Sequence, residues 1–177
     1  KAGWDGAYVV DHEGEAIRRA FKLYPWEWML RDEFAPYLFN PHIRWIEPAW
    51  KMLLSNKGFL AYLWQAHPNH PNLLPTSFSL HDLPNASATG YARKPLFSRE
   101  GAGVSLHYPN GQSESVPVQE SPEGWIYQTL HPLPRFDNSW TLIGSWIVGD
   151  ETAGIGIRED LSPITKDTSH FLPHYFK

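Results

Sequence analysis

The sequence has 177 residues, 42% of them hydrophobic and 19% charged, with a formal net charge of -4, a composition that supports a buried core and gives no sign of disorder. Fifteen Lys and Arg against nineteen Asp and Glu leave no positive excess for a phosphate backbone, so no nucleic-acid partner is expected. No window approaches the roughly 18 consecutive apolar residues of a membrane span, Lys1-Ala2-Gly3-Trp4-Asp5 has no signal-peptide core, and zero cysteines exclude disulfides and thiolate sites; no membrane partner is expected, and a reducing cytoplasm is compatible.

Tyr8-Val9-Val10 and Ala16-Ile17 flank the polar Asp11-His12-Glu13-Gly14-Glu15 and predict a short hairpin. Phe21-Lys22-Leu23-Tyr24 alternates apolar and polar, and Pro25 stands where a helix can begin without cost. In that helix Trp26, Leu30, Phe34 and Leu38 make an i+4 stripe, Glu27 and Arg31 form an i,i+4 pair, and Pro36 marks the end. A strand over Ile43-Arg44-Trp45-Ile46 stops at Glu47-Pro48, and Ser55-Asn56 offers a cap for a helix carrying Phe59, Leu60, Leu63 and Trp64. His67-Pro68-Asn69-His70-Pro71 ends it. From Tyr91 the pattern becomes β, with strands at Tyr91 to Phe97, Val104 to Tyr108, Trp125 to Leu130, Thr141 to Val148 and Ala153 to Arg158, mainly antiparallel sheet. Asn110-Gly111 is a hairpin signal, and Gly149-Asp150-Glu151 is a turn between the last two strands.

Three constellations could carry chemistry. In Ala153-Gly154-Ile155-Gly156-Ile157-Arg158 the alternation of a strand puts Gly154, Gly156 and Arg158 on one face, a bare strip ending in a guanidinium that suits an anionic ligand. A packed strand pair with Arg158 bridging Asp160 or Glu159 explains the pattern equally well. Lys94-Pro95-Leu96-Phe97-Ser98-Arg99-Glu100-Gly101-Ala102-Gly103 runs from a basic strand end into a Gly-containing turn whose amides could cradle phosphate, although a plain surface turn is the commoner reason for such a segment. Lys57, at a helix start, opposes the local dipole unless an anion is near, while a solvated lysine is the ordinary explanation. His67 and His70 are spaced three apart, but Pro68 and Pro71 deny them a helical face and no carboxylate completes a set, so no metal ligand is named in this chain. The nine Trp read mostly as core and interlobe packing.

Phe21-Lys22-Leu23-Tyr24-Pro25-Trp26-Glu27-Trp28-Met29, Glu47-Pro48-Ala49-Trp50-Lys51, Ser55-Asn56-Lys57, Lys94 to Gly101, Ile143-Gly144-Ser145-Trp146 and Gly154-Ile155-Gly156-Ile157-Arg158-Glu159-Asp160 together resemble the bacterial glutathionylspermidine synthase-like acid-amine ligases. The resemblance implies an α+β, ATP-grasp fold with antiparallel β-sheets and packed helices, present as a C-terminal portion of a longer parent. Residues 1–90 would contribute to the central or substrate lobe and the ATP-grasp entry, and residues 91–177 would form the β-rich nucleotide-binding lobe. It implies ATP and Mg²⁺ as cofactors, and a small-molecule or peptide carboxylate and an amine as partners. By similarity Lys57 and Lys94 would contact ATP, the turn Arg99, Glu100 and Gly101 would fold over its phosphates, and Ile126-Tyr127-Gln128 would offer backbone groups to adenine. Lys166 would reach the nucleotide, and Arg158 would be catalytic, neutralising the transferring phosphoryl group. The magnesium ligands of the family come from an acidic motif with no match here, so this portion alone is expected to be inactive and to expose apolar surface. The cysteine amidase domain of the bifunctional members has no counterpart either. The competing reading is a non-catalytic nucleotide- or glycan-binding module, which requires several Trp in a row on an exposed sheet face.

Overall fold

The computed structural model describes residues 2–117 and 122–175 and forms two units, Lys1–Asn56 and Lys57–Lys177. In the first, β1 (Gly3–Trp4) pairs antiparallel with β2 (Val9–Val10). The predicted hairpin is present beside this pair: Val10 bridges Ala16, and the Ile17 amide donates to the Val9 carbonyl at 2.8 Å. Its turn is closed by Asp11, whose Oδ1 accepts from the Glu13 and Glu15 amides at 2.9 and 3.0 Å, the usual work of an Asp in a turn.

The chain continues through β3 (Arg19–Phe21), α1 (Trp26–Met29), β4 (Arg44–Ile46) and α2 (Met52–Ser55), with β3 and β4 parallel. Pro25 does precede a helix, but α1 is a single turn rather than the three predicted from the i+4 stripe. Past Met29 the amides of Arg31, Asp32 and Ala35 turn to carbonyls three residues back, and the Asp32 carboxylate accepts from the Phe34 amide, a local bond that competes with helix. Pro36 then sits in a 3₁₀ turn over Ala35–Tyr37. Trp26 and Leu38 still meet, in a cluster with Met29 against Trp45, Ala49 and Met52, whereas Leu30 stays 37% exposed.

The second unit opens with α3 (Gly58–Ala66). Ser55-Asn56 does not cap it. The cap position is Lys57, whose amide donates to the Leu96 carbonyl at 2.9 Å, and the Ser55 hydroxyl turns back to Met52. Next come β5 (Thr76–Ser77), α4 (Ala86–Thr89), β6 (Tyr91–Pro95), β7 (Ser105–His107), β8 (Ser113–Ser115) and β9 (Trp125–Thr129). The strands form an antiparallel sheet ordered β5-β9-β6-β7-β8, and Gly111, at φ +83°, turns between β7 and β8. β10 (Arg135–Phe136), β11 (Ser139–Val148), β12 (Glu151–Asp160) and β13 (His170–Leu172) make a second antiparallel sheet in sequential order.

The β-rich half thus forms two antiparallel sheets, and they differ in burial. Alternation in β9 puts Ile126 and Gln128 inside, Ile126 with no exposed surface. Ala92, Leu106 and Ile164 close a core with Val104, Tyr108, Val116 and Leu130. The far half of β11 alternates without finding cover: Ile143, Trp146, Ile147 and Val148 are each at least 60% exposed. The α+β class with antiparallel sheets holds. The reading of Trp as packing holds only in part, since Trp26 is buried but Trp28, Trp50 and Trp146 are exposed.

Candidate functional site

β6 and β9 pair Ala92 with Gln128 and Lys94 with Ile126. Directly opposed residues share a face, so Lys94 and Gln128 point the same way, over a cavity of about 280 Å³ lined also by Lys57, Gly101, Leu130 and Thr165. The Lys94 ammonium donates to Gln128 Oε1 at 2.6 Å. Gln128 Nε2 donates to the Thr76 hydroxyl at 3.0 Å, and that hydroxyl donates to the Leu74 carbonyl at 2.9 Å. Burial pushes the Lys94 ammonium below the ordinary lysine range, because a charge away from water is costly unless something negative is supplied.

Lys57 reaches the same cavity from the start of α3, its ammonium donating to the Ser98 carbonyl at 2.6 Å and to the Ser98 hydroxyl at 2.9 Å. Lys57 thus fastens the turn that follows β6. In that turn Ala102 and Val104 donate to the Arg99 and Gly101 carbonyls, both at 3.0 Å. Gly101 has φ +75°, and a Cβ there would stand 2.6 Å from the Thr165 carbonyl oxygen and 2.9 Å from Ile164 Cγ2. Only glycine allows this approach, which accounts for one of the two glycines of the turn. Arg99 and Glu100 are exposed at its tip.

The other expected residues lie elsewhere. Ile126 is buried behind the cavity wall. Tyr127 is on the opposite face of the sheet, its ring 6.0 Å from that of Tyr91 and beside the Arg93–Trp125 stack at 3.7 Å. β9 is flanked by β6 and β5; from it Gln128 and Thr129 line the cavity, followed by Leu130, His131, Pro132 and Leu133.

Arg158 is on β12. Its guanidinium donates to the Lys166 carbonyl and lies 4.9 Å from the centre of the Phe171 ring. Asp160 is engaged by other partners: the Ser162 amide at 2.9 Å, the Ser169 hydroxyl at 2.6 Å and the Lys166 ammonium at 3.4 Å. Burial raises the Asp160 carboxyl, but these three bonds together hold it below the usual carboxylate range. They fix the loop from Asp160 to Ser169, whose Pro163, Ile164 and Thr165 line the cavity. Lys57, Lys94, Gly101 and Gln128 therefore converge on one cavity, and Arg158 and Lys166 hold the loop that closes its side. The glycine strip is partly covered, since a Cβ on Gly156 would meet the Trp146 indole nitrogen at 3.5 Å.

Thr76 and Leu74 were not anticipated, and nothing in the run from His70 to Gly90 marks them, because two-residue β5 is shorter than any periodicity can reveal. Among the described residues no three His, Asp or Glu side chains are grouped to hold a metal. The exposed Trp28, Trp50 and Trp146 belong to α1, a 3₁₀ turn and β11, so they form no row on one sheet face.

The family model described as glutathionylspermidine synthase preATP-grasp matches residues 2–177. A Haemophilus influenzae protein provisionally named as an acid–amine ligase is 45% identical over 94% of this chain and 44% of its own length. Trypanothione synthetase of Crithidia fasciculata is 34% identical over 93% of the chain and 28% of its own length. The bifunctional glutathionylspermidine synthetase/amidase of Escherichia coli is 29% identical over 97% and 31%. The chain thus spans less than half the length of these relatives.

Proposed function

Since the chain belongs to the glutathionylspermidine synthase preATP-grasp family, we propose that it supplies the nucleotide-holding part of an ATP-dependent carboxylate–amine ligase with an ATP-grasp fold. In the proposed reaction a carboxylate oxygen attacks the γ-phosphorus of ATP and ADP leaves. The amine nitrogen then attacks the acyl carbon, the C–O bond to phosphate breaks, and the nitrogen loses a proton as the amide forms. The observation that carries this reading is the convergence of Lys57, Lys94, Gly101 and Gln128 on one cavity whose remaining walls are mostly apolar. Its volume is just under the roughly 300 Å³ at which small-ligand sites begin and suits a nucleoside, with the phosphates toward the two ammonium groups.

Within the proposal Lys94 and Lys57 neutralise phosphate charge, and the turn Arg99, Glu100 and Gly101 covers it. Gln128, backed by Ile126 and Tyr127 in the same strand, meets the nucleotide with its side chain, and Lys166 borders it. Arg158 is assigned the developing charge of the phosphoryl group, where stabilisation acts selectively on the transition state. Residues 91–177 form the nucleotide-binding lobe, and residues 1–90 contribute to the substrate side and, through Lys57, to the entry of the nucleotide site. Mg²⁺ would screen the β- and γ-phosphate oxygens. The described residues offer it no ligand set, so no step is assigned to it here. The acid is a small molecule or peptide, as the names of the synthetase relatives suggest, and a cytoplasmic setting fits an ATP-consuming enzyme.

Calorimetric titration of ATP with Mg²⁺ into the protein, wild type against Lys94→Ala, tests the reading. Binding is expected in the wild type and lost in the variant. Because burial depresses the free Lys94 ammonium and phosphate favours its charged form, binding takes up protons where the free amine is partly neutral and the bound one charged. Heats measured in buffers of different ionisation enthalpy read that uptake. No ATP binding by the wild type would favour the non-catalytic module with another ligand.

A further inference from the structure

We propose that Thr76, which does not line the cavity, is a positioning residue for Lys94 and acts through the Gln128 amide. The inference rests on the nucleotide site proposed above, to which Lys94 belongs. The direction of each bond is fixed by its partners. A lysine ammonium has donors and no acceptor, so the Gln128 atom that faces it at 2.6 Å is Oε1. The other end of the amide, Nε2, can only donate, so the Thr76 oxygen at 3.0 Å accepts. The Thr76 hydrogen is thereby directed to the Leu74 carbonyl at 2.9 Å. An ammonium at one end and a carbonyl at the other leave one consistent sense for all three bonds. Rotating the Gln128 amide by half a turn would set its NH₂ against the ammonium, donor against donor.

The relay is buried, with Thr76 3% and Gln128 7% exposed. There an unmet donor costs more than a made bond gains. Thr76 is also the residue directly opposite Gln128 in the β5–β9 pairing, so the short strand β5 delivers the hydroxyl to the amide by register. Without the hydroxyl, Nε2 has no acceptor, the amide is free to turn, and Lys94 loses the oxygen that holds its ammonium over the cavity.

Thr76→Val keeps the shape and deletes the hydroxyl; Thr76→Ser restores it. Two readouts separate the relay from the nucleotide reading: ATP affinity by calorimetry, and the rate of reductive methylation of Lys94 followed by peptide mass spectrometry without nucleotide. The expected result for Thr76→Val is faster Lys94 methylation, because the amine is less often held and less often charged, and a loss of about tenfold in ATP affinity. Thr76→Ser is expected to return both toward wild type. Unchanged Lys94 reactivity in folded Thr76→Val, or a Thr76→Ser variant that behaves like valine, overturns the relay. Altered reactivity with no ATP binding by the wild type supports the relay and sinks the nucleotide reading alone. Should Thr76→Val fail to fold, hydrogen exchange of the wild-type Gln128 side-chain amide decides: slow exchange supports the donated Nε2, and exchange at the rate of an exposed amide overturns it.

Discussion

Gly101 and Gly111 both hold left-handed backbone, at φ +75° and +83°, yet their surroundings differ. A Cβ on Gly101 collides with the Thr165 carbonyl, whereas one on Gly111 meets nothing within 4 Å. Gly111→Ala is therefore expected to cost only the conformational penalty, about 1 kcal/mol, and Gly101→Ala at least about 3 kcal/mol, because the backbone of the loop from Asp160 to Ser169 must move. Urea unfolding of the two variants checks the difference, and equal losses would mean that the Gly101–Thr165 approach is not tight. Single residues were legible in sequence where their chemistry is rare in its context. Lys57 stood out as a cation at a helix start and Lys94 as a cation in a strand running into a glycine turn, and both lie at the cavity. Thr76 is an ordinary polar residue whose importance comes only from what stands opposite it in β9.

At the scale of elements the two sheets of the second unit differ in what they bury. β9 has neighbours on both sides and a fully buried Ile126, while the distal half of β11 carries Ile143 at 60% exposure. Ile126→Ala is expected to cost about 2–5 kcal/mol through lost burial and a residual cavity, and Ile143→Ala to stay within about 0.5 kcal/mol. Thermal or denaturant unfolding compares them; a large loss at Ile143 would mean that the distal hairpin is covered in solution. The five β patterns from Tyr91 onward each coincide with a strand, because alternation reports a face, although Val104 to Tyr108 pairs only over Ser105–His107. The helix expected after Pro25 is a single turn because a stripe of four apolar residues fits a chain of short turns as well as a helix. The Asp32 carboxylate and Pro36 decide between them locally.

Over the whole molecule, each unit presents large apolar side chains to solvent: Phe21, Leu23 and Leu53 in the first, Trp146, Ile147 and Val148 in the second, each more than 60% exposed. Soluble monomers rarely leave such patches open, so the 177-residue chain is expected to self-associate with rising concentration, and Ile147→Lys to lower the apparent mass. Light scattering measures both, and a wild-type monomer at all concentrations contradicts the expectation. The sequence by itself determined the α+β class, the five β patterns from Tyr91 onward, the family and the two lysines that line the cavity. These are carried by local alternation, by turn residues and by runs of ordered motifs, all of which act over a few neighbouring positions. Tertiary structure alone decided that the β half splits into two sheets, that Gln128 meets the cavity by its side chain while Tyr127 faces away, and that Arg158 is tied to the Lys166 carbonyl. Each of those outcomes depends on strand register and on contacts between residues far apart in the chain, which local pattern does not encode.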